Sequence, residues 1–577
     1  MQTIKKRVAD AILSGVDSIN PDHGLTAAEV AGLLEYPPDS NMGDLAFPCF
    51  RLSKVLRRSP VQIAQTLAGI VKDRAIGATS AVNGYLNFTV SNEYLESDVV
   101  PEILQKGEDY GKQTFGKGKK VVLDYSSPNV AKPFHIGHLG TTVIGHSIRK
   151  LHEFAGYDCF GINYLGDWGT QFGKLILAFR LWSNREEVEE GGIDKLVSLY
   201  VRINNEIKGD PEQGIAPRDD LADAARAEFH KLETGDEENL ALWRWFVDIS
   251  LKEYEKTYKQ LGITFDSYLG ESFYTDKMPA QIEKLRQMGL LKIDDGASIV
   301  DLSDYNMPPC LILKRDGSTL YPTRDIAAAV YRKENYHFDK AVYVTSAQQS
   351  LHFAQWFKVV ELMGYPWYNE LVHVPYGTVS LGGEKLATRT GNVVLLRDLF
   401  ERAIEKVREI RREKGQIAEN DDEIAEAVGV GAIVFYYLSN NRMKDINFTM
   451  DEALNFDGNT GPYVQYTYAR ACSVLAKAGG NDGKTIRITC EEEAALVKTL
   501  CRFGERVCNA IDDYEPSIVT RFILDVAAAF NRFYHNCPIH TADDPAVRAS
   551  RLNLTAAAKT VLGNAFDLIC LRRTEKV

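Results

Sequence analysis

Two histidines, His135 and His138, lie three residues apart and offer the clearest chemistry in the chain. At the start of a helix this spacing lets both imidazoles point toward one ligand, and Gly137 between them leaves room for close approach. Two N–H donors that need not be charged suit a polyphosphate whose negative charge moves toward a leaving group. Lys132, in the same turn, would add a cation. A histidine pair near a helix start is also a common structural feature, so its surroundings decide between the two interpretations.

The neighbouring residues predict the elements that position this pair. The apolar run at 121–123 lies between Lys120 and Asp124, which is typical of a strand buried in a parallel sheet. From about His138, apolar residues recur every three or four positions until Gly156 offers a stop, which predicts a helix. These apolar residues are Ile144, Ile148, Leu151 and Ala155. A helix that begins after a parallel strand favours anions, phosphate above all.

The tetrapeptide His-Ile-Gly-His at 135–138 matches the HIGH signature of class I aminoacyl-tRNA synthetases and related nucleotidyltransferases. Its flanks, SSPNVAKPF at 126–134 and LGDWGTQFG at 165–173, resemble arginyl-tRNA synthetases, and the resemblance runs from about Pro37 to Leu568. It implies an α/β protein with a class I Rossmann-type (HUP-like) catalytic domain, an α+β N-terminal domain and an all-α C-terminal domain. We expect an additional tRNA-binding domain at 1–112, the catalytic domain at 113–420 with a helical insertion at about 183–260, and a DALR-type anticodon-binding domain at 421–577.

Length and composition agree with a large globular protein. A chain of 577 residues is too long for one hydrophobic core, so we expect three or four domains. No apolar stretch approaches the roughly 20 residues that span a bilayer, and the N-terminus lacks a signal-peptide pattern, so we expect a cytoplasmic protein without a membrane partner.

The nine cysteines include no Cys-x-x-Cys pair, which predicts reduced thiols and neither a zinc site nor a disulfide framework. The net charge of −12 argues against indiscriminate nucleic-acid binding but leaves room for a local basic track. The resemblance implies a monomer.

Basic residues cluster twice in the N-terminal region. They are Arg51, Lys54, Arg57 and Arg58, followed by Lys112, Lys117, Lys119 and Lys120. Such clusters are usually solvated faces, whereas the resemblance implies a domain that contacts the outer corner of a tRNA. In a strand predicted at 85–90, Tyr85 and Asn87 match residues that some family members use to read a D-loop base, by stacking and edge hydrogen bonds. Tyr85 is equally compatible with a strand core.

Helical patterns dominate residues 421–577. The stretch DGNTGPYVQYTYARA at 457–471 is similar to the start of the family's anticodon-binding domain. Tyr463, Tyr466 and Arg470 lie at helical spacing, where they would stack on unpaired bases and pair with phosphate. A tyrosine-rich core helix is the alternative.

A second phosphate-binding element is predicted at 385–391, within the sequence KLATRTGN that follows Gly382 and Gly383. It resembles the KMSKS loop in the altered form of arginyl enzymes, although the usual methionine, serine and second lysine are replaced. Lys385 and Arg389 would still bring positive charge to the transition state. The resemblance implies that five residues contact ATP: Lys385, Thr388, His135, Gly137 and His138.

Recognition of arginine requires carboxylates or amide oxygens placed to fit a planar guanidinium. Glu271 follows Tyr-Leu-Gly at a predicted strand end, and Tyr321 and Asp325 would share a face if a helix begins near Thr323. Gln349 closely follows a strong strand candidate. The resemblance implies that all four bind arginine, with Glu271 at the guanidinium, and that three residues around the HIGH signature also touch it: Ser127, Asn129 and His138.

The sequence therefore predicts an arginyl-tRNA synthetase that forms arginyl-adenylate from arginine and ATP, releases pyrophosphate and transfers arginine to the terminal adenosine of its tRNA. Mg²⁺ would arrive with ATP, without a dedicated protein site, and we expect tRNA to be needed before arginine is activated. One alternative is a class I synthetase of another specificity, which the acidic residues Glu271 and Asp325 disfavour. Another is a non-catalytic paralogue that binds tRNA or a partner protein. The intact His135 and His138 argue against it, while the altered 385–391 loop keeps it open.

Overall fold

The computed structural model describes residues 1–210, 216–381, 384–385, 394–413, 415, 420–456 and 458–576. Within this part of the chain, no helix combines the length and the apolar character needed to cross a bilayer. All nine cysteines are free thiols.

The N-terminal region packs helices against a three-stranded antiparallel sheet with the order β1-β3-β2. Its elements are α1 Gln2–Asp17, α2 Ala27–Leu33, β1 Leu45–Pro48, α3 Ser53–Leu56, α4 Pro60–Ile70, β2 Ile76–Val82, β3 Tyr85–Val90, α5 Asn92–Tyr94 and α6 Val100–Lys106. The central strand β3 confirms the strand predicted at 85–90. Leu86 and Phe88 lie two residues apart on one face of β3 and are buried, as the alternation of a strand requires.

The middle of the chain is an α/β region built on a parallel sheet with the strand order β10-β9-β4-β5. Its elements are β4 Lys120–Asp124, α7 Ile136–Phe154, β5 Asp158–Ile162, α8 Thr170–Trp182, α9 Arg185–Lys208, α10 Asp219–Glu233, α11 Glu237–Leu261, α12 Met278–Gln287, β6 Leu291–Asp294, β7 Ala297–Val300, β8 Cys310–Leu313, α13 Tyr321–Tyr336, β9 Lys340–Ser346, α14 Ser350–Leu362, β10 Leu371–Tyr376, β11 Val379–Leu381, β12 Glu384–Lys385 and α15 Leu396–Glu413.

Strand β4 lies in the interior of this sheet, between β9 and β5. Residues 121–123 are buried because both faces of β4 are covered, which explains their uninterrupted apolar sequence. The strand predicted near 121–123 is confirmed as β4, and the strand candidate before Gln349 is confirmed as β9, while β5 ends at Ile162. Beyond it, the N–H of Asn163 donates to the Ser267 carbonyl at 2.9 Å instead of continuing the ladder. Ligands of such sheets bind at the carboxyl ends of the strands.

Between β5 and β9 the chain makes a long excursion through helices and a small antiparallel sheet. Helices α9, α10 and α11 cover most of the described residues of 183–260. Arg180 on α8 ties two of them together, since it donates to Glu228 at 3.0 Å and to Asn239 at 2.8 Å. Strands β6, β7 and β8 form the antiparallel sheet.

The described residues of the C-terminal region form helices and one short strand, joined by loops. Its elements are α16 Asp421–Leu438, β13 Ile446–Phe448, α17 Met450–Ala453, α18 Gly461–Ala478, α19 Glu491–Leu500, α20 Phe503–Asp512, α21 Ser517–Asn536 and α22 Pro545–Asp567. Strand β13 pairs in parallel with β11, with Ile446 opposite Val379. The start of this region therefore completes a small sheet with the end of the α/β region.

Candidate functional site

The turn between β4 and α7 is held in an unusual backbone conformation. Three of its non-glycine residues have left-handed backbone: Ser126, Ser127 and Ala131. Because such residues adopt this conformation at a cost, surrounding contacts must hold it. Tyr254 on α11 is one such contact, since its hydroxyl lies 2.8 Å from the Asn129 carbonyl oxygen and 2.7 Å from that of Lys132. The insertion thus fixes the turn that carries the predicted phosphate-binding residues.

Helix α7 begins at Ile136, earlier than the predicted start near His138, because His135 and His138 cap it reciprocally. Nδ1 of His135 accepts the N–H of Gly137 at 3.0 Å, and Nδ1 of His138 accepts the N–H of His135 at 3.1 Å. Since both Nδ1 atoms are acceptors, each neutral ring carries its proton on Nε2. A Cβ at Gly137 would lie 2.7 Å from Cε1 of His135, so this arrangement requires glycine.

Both histidines are held neutral. Burial lowers the pKa of His135 to about 4, with the charge of Lys132 as a further cause. Burial also lowers the pKa of His138 well below its ordinary value, and His135 and Lys132 add to that effect. The two ring centroids lie 3.9 Å apart. The pair therefore offers two neutral N–H donors side by side, beside a lysine whose own pKa is lowered by burial.

The chain returns to the HIGH segment directly after the predicted second loop. The N–H of Leu396 donates to the Phe134 carbonyl at 2.9 Å, and Leu395 pairs with His135 through an isolated antiparallel β-bridge. On the other side of the loop, β12 pairs with β11, which packs against α7. Three predicted ligands lie outside the described part of the structure: Thr388, Arg389 and the side chain of Lys385. The described residues on both sides nonetheless tie the ends of this segment to α7 and its start.

Asp124, at the carboxyl end of β4, joins the turn to a buried arginine. Its Oδ1 accepts the Ser127 hydroxyl at 2.9 Å, and its Oδ2 lies 2.8 Å from Nη1 of Arg332 on α13. The Arg332 side chain is 1% exposed. Burial raises the pKa of Asp124, and Arg332 opposes that effect. This ion pair connects the carboxyl end of β4 to α13.

Glu271 follows a turn, which corrects the predicted strand end. The residues before it pair through an isolated bridge between Ser267 and Ile162, and Glu271 opens a short 3-10 helix. Asp167 fixes this turn, because its carboxylate accepts the N–H of Ser272 at 2.8 Å and the hydroxyl of Ser272 at 2.6 Å. These side-chain bonds replace the strand pairing that the apolar residues before Glu271 suggest.

The carboxylate of Glu271 is paired with Arg324 on α13. Oε2 of Glu271 lies 2.5 Å from Nη1 of Arg324, and the two side chains are 15% and 12% exposed. Burial raises the pKa of Glu271 to about 7. Arg324 opposes the shift, while Asp325 and Asp167 add to it. A guanidinium is therefore the group that Glu271 already binds in this structure.

The remaining predicted arginine ligands lie on or beside α13 and α14. Because α13 begins at Tyr321 rather than near Thr323, Tyr321 and Asp325 are one helical turn apart. Oδ2 of Asp325 lies 2.6 Å from Nε2 of His352 on α14, whereas Tyr321 is 65% exposed. Gln349 ends the 3-10 turn after β9 and is exposed.

Carboxylates outnumber arginines in this region. Together with burial, Asp325 raises the pKa of both Asp124 and Glu271, so these acids are near enough to affect one another. The four carboxylates are those of Asp124, Asp167, Glu271 and Asp325. Arg324 and Arg332 pair with two of them. The residual negative charge favours a cationic ligand.

In the C-terminal region, Arg470 lies between two tyrosine rings. Its guanidinium carbon is 4.8 Å from the ring centre of Tyr466 and 4.9 Å from that of Tyr534, and these tyrosines are 42% and 37% exposed. Asn531 on α21 accepts a hydrogen bond from Arg470 and donates to the Tyr463 hydroxyl at 3.0 Å. Tyr466 and Arg470 thus form a surface with Tyr534, while Tyr463 helps to hold it.

In the N-terminal region, the two predicted base contacts differ in accessibility. Tyr85 is partly exposed, and its ring meets that of Phe50 edge to face at 5.4 Å. Asn87 is only 4% exposed, which leaves Tyr85 as the accessible member of the pair. All four residues of the predicted basic cluster nearby are exposed: Arg51, Lys54, Arg57 and Arg58.

Several residues that shape these sites were missed by the sequence reasoning. Asp124 and Asp167 stand next to or inside the motifs already recognised, so a search for carboxylates at strand ends would find them. Arg324 precedes the predicted Asp325 directly. Arg332 and His352 reach the site through folding alone, and their own sequence neighbourhoods contain no signal for it.

Comparison with known families covers nearly the whole chain. The family described as "tRNA synthetases class I (R), catalytic domain" matches residues 99–450. The "Arginyl tRNA synthetase N terminal domain" matches residues 2–90, and the "DALR anticodon binding domain" matches residues 464–577.

Individual relatives extend over the full length. The chain is 46% identical to "Arginine--tRNA ligase" of Alkaliphilus metalliredigens and 47% identical to that of Clostridioides difficile, each match covering 100% of both chains. Among solved structures, the arginyl-tRNA synthetase of Thermus thermophilus matches with a TM-score of 0.81 and 26% identity, covering 98% of this chain and 99% of that one. The enzyme of Plasmodium falciparum has the same fold, with a TM-score of 0.80 at 24% identity over 100% and 99% of the two chains.

Proposed function

The chain belongs to the arginyl-tRNA synthetase family, whose members activate arginine with ATP and charge tRNA, and from this premise we propose how its own residues divide that work. The reaction needs arginine, ATP and tRNA. The observation that carries the assignment of roles is the reciprocal capping of His135 and His138, which aims two neutral N–H donors from the start of α7.

In activation, the carboxylate of arginine attacks the α-phosphorus of ATP, an adenylate forms and pyrophosphate leaves. Since the protein contributes little covalent chemistry, positioning and charge stabilisation dominate. Nε2 of His135 and of His138 donate to phosphate oxygens, and Gly137 allows the close approach. Lys132 adds positive charge. From the second loop, Lys385 and Arg389 add further charge and Thr388 contacts ATP.

Mg²⁺ enters bound to the phosphates of ATP. Among the described residues, the one group of three metal-ligand side chains that lie close together is in the C-terminal region: Cys490, Glu492 and Cys537. Those three residues are far from the HIGH segment in the sequence and lie at the ends of other helices. No residue of the α/β region is assigned to the metal.

The carboxylates at the strand ends select the amino acid. Glu271 binds the guanidinium of arginine, in the manner in which it binds Arg324 here. Asp325, oriented by His352, and the exposed Tyr321 and Gln349 complete the contacts on one side. Ser127 and Asn129 contact arginine from the turn before α7, where Ser127 is oriented by its bond to Asp124, and His138 contacts it from the first turn of α7.

The outer regions hold the tRNA. Residues 1–112 contact it through Tyr85, with Asn87 in the same strand, and residues 421–577 through Tyr463, Tyr466 and Arg470. Residues 113–420 place the terminal adenosine so that its 2′-hydroxyl attacks the adenylate. The protein works as a cytoplasmic monomer.

The test of this function is aminoacylation of total tRNA with each proteinogenic amino acid in turn. We expect label from arginine alone, which the excess of carboxylates supports. Charging with another amino acid would favour the class I alternative of different specificity. Binding of tRNA without any charging would favour the non-catalytic paralogue and would make the 385–391 loop the first segment to examine.

Replacement of Tyr254 by phenylalanine tests how strongly the turn before α7 must be held. We expect kcat/KM for arginine activation to fall about fivefold, because the carbonyls of Asn129 and Lys132 lose a hydrogen bond worth about 1 kcal/mol. Tyr436→Phe is the matched control, since it removes a hydroxyl that bonds the Asn447 carbonyl at 3.0 Å in the C-terminal region. Equal losses in the two variants would contradict the role given to Tyr254.

Replacement of Tyr466 by alanine tests the C-terminal surface. We expect the KM for tRNA to rise about tenfold, since stacking of a base on an aromatic ring is worth about 1–3 kcal/mol, while pyrophosphate exchange at saturating tRNA keeps its rate. Tyr368→Ala is the control, because that tyrosine is 40% exposed and lies in the α/β region. A KM for tRNA that stays unchanged in Tyr466→Ala would remove Tyr466 from the interface.

A further inference from the structure

Two cysteines of the C-terminal region lie with their sulfurs in contact. Sγ of Cys490 is 3.3 Å from Sγ of Cys537. Cys490 is the residue that precedes α19 and is partly exposed, whereas Cys537 directly follows α21 and is 2% exposed. Cys490 is thus the more accessible cysteine of the pair.

Neighbouring contacts hold these two helix ends together. Beside Cys537, Nδ2 of Asn536 donates to Oε1 of Glu492 on α19 at 2.9 Å. On the inner side, Arg551 of α22 donates to Glu493 at 2.7 Å and to the Pro538 carbonyl at 2.7 Å. The start of α19 and the end of α21 are therefore joined on both sides of the sulfurs. A disulfide, with a sulfur separation of about 2 Å, needs a small approach of the two side chains between fixed backbones.

We propose that Cys490 and Cys537 are a reversible dithiol site that reacts with low-molecular-weight disulfides to form one intramolecular disulfide. This property is separate from tRNA charging and rests on none of the roles given above. Cys490, the more accessible of the two cysteines, is the nucleophile. Cys537 is the resolving thiol, because it is 2% exposed and its sulfur lies 3.3 Å from that of Cys490.

The exchange is balanced without any further reagent. The Cys490 thiolate attacks one sulfur of the small disulfide, and the S–S bond of that disulfide breaks. One small thiolate is released, and it takes up the proton that Cys490 gave to water. The Cys537 sulfur then attacks Sγ of Cys490, and the second small thiol leaves with the proton of Cys537. Two protein thiols are oxidised to one disulfide, and one small disulfide is reduced to two thiols.

The test is incubation of the full chain with oxidised glutathione, followed by blocking of free thiols, digestion and mass spectrometry. We expect a peptide pair linked through Cys490 and Cys537 in the wild type. In Cys537→Ser and Cys537→Ala, the reaction should stop with glutathione attached to Cys490. In Cys490→Ser, Cys537 should remain a free thiol. Unchanged charging of tRNA with arginine shows that each variant is folded.

Cys508→Ser is the matched control, since Cys508 is also a partly exposed cysteine of the C-terminal region and its sulfur accepts from Gln2 rather than facing a second thiol. This variant should still form the link. Glutathione that persists on Cys490 in the wild type would overturn the proposal, because it would show that Cys537 does not resolve the mixed disulfide. Two thiols that both stay unmodified, as thiols that hold a metal ion would, overturn it as well.

Discussion

Replacement of His138 by alanine should lower kcat for arginine activation by about 100- to 1000-fold, the usual effect of losing one preorganised donor to a developing charge. The reason is geometric. Nδ1 of His138 is occupied by the N–H of His135 at 3.1 Å, so Nε2 carries the proton and faces away from the helix cap. The measurement is kcat in ATP–pyrophosphate exchange with tRNA present.

His138 also caps α7, and two further variants separate that role from catalysis. In His138→Asn, the amide oxygen can accept the N–H of His135 while no N–H remains at the position of Nε2, so we expect a loss close to that of alanine. His146→Gln is the control. His146 is a buried histidine of the same helix and lies 3.2 Å from the Tyr125 hydroxyl. In this variant the rate should stay within a few-fold of the wild type. Full activity in His138→Asn would assign His138 to the cap alone.

The sequence predicted well those features that depend on nearby residues. The buried run at 121–123 and the helical repeat after His138 predicted β4 and α7, because a strand covered on both faces and a helix covered on one leave distinct patterns. The start of α7 was misplaced. A histidine is an uncommon capping residue, and the reciprocal bonds between His135 and His138 are visible only in three dimensions.

Features that depend on distant residues could not be read in the same way. The ion pair of Asp124 with Arg332 joins the end of β4 to α13, and nothing near Arg332 in the sequence indicates it. The predicted strand end before Glu271 is a turn, because Asp167 bonds Ser272 from another segment. For the same reason, Tyr534 was missed beside Arg470, although the helical spacing of Tyr466 and Arg470 was informative.

The charges of the arginine site lead to the second large effect. Replacement of Glu271 by glutamine should lower kcat/KM for arginine by about 100- to 1000-fold, because the loss of one partner from a buried charged pair costs about 2–5 kcal/mol. The effect should appear in the KM for arginine and spare the KM for ATP. Glu370→Gln is the control, since Glu370 likewise pairs with a basic residue of α13, in its case Lys333. The Glu370 side chain is 30% exposed, and the residue directly precedes β10.

The same carboxylate predicts a pH dependence. Burial raises the pKa of Glu271 to about 7, so the group is mostly protonated below that pH and charged above it, and only the charged form pairs fully with a guanidinium. The kcat/KM for arginine should therefore rise as the pH increases through about 7 and level off above it. His135, whose pKa is about 4, contributes no change in that range. In Glu271→Gln the rise should vanish, because glutamine does not titrate. A rise that persists in this variant would show that another group titrates, and Glu271 would then be a neutral contact to arginine.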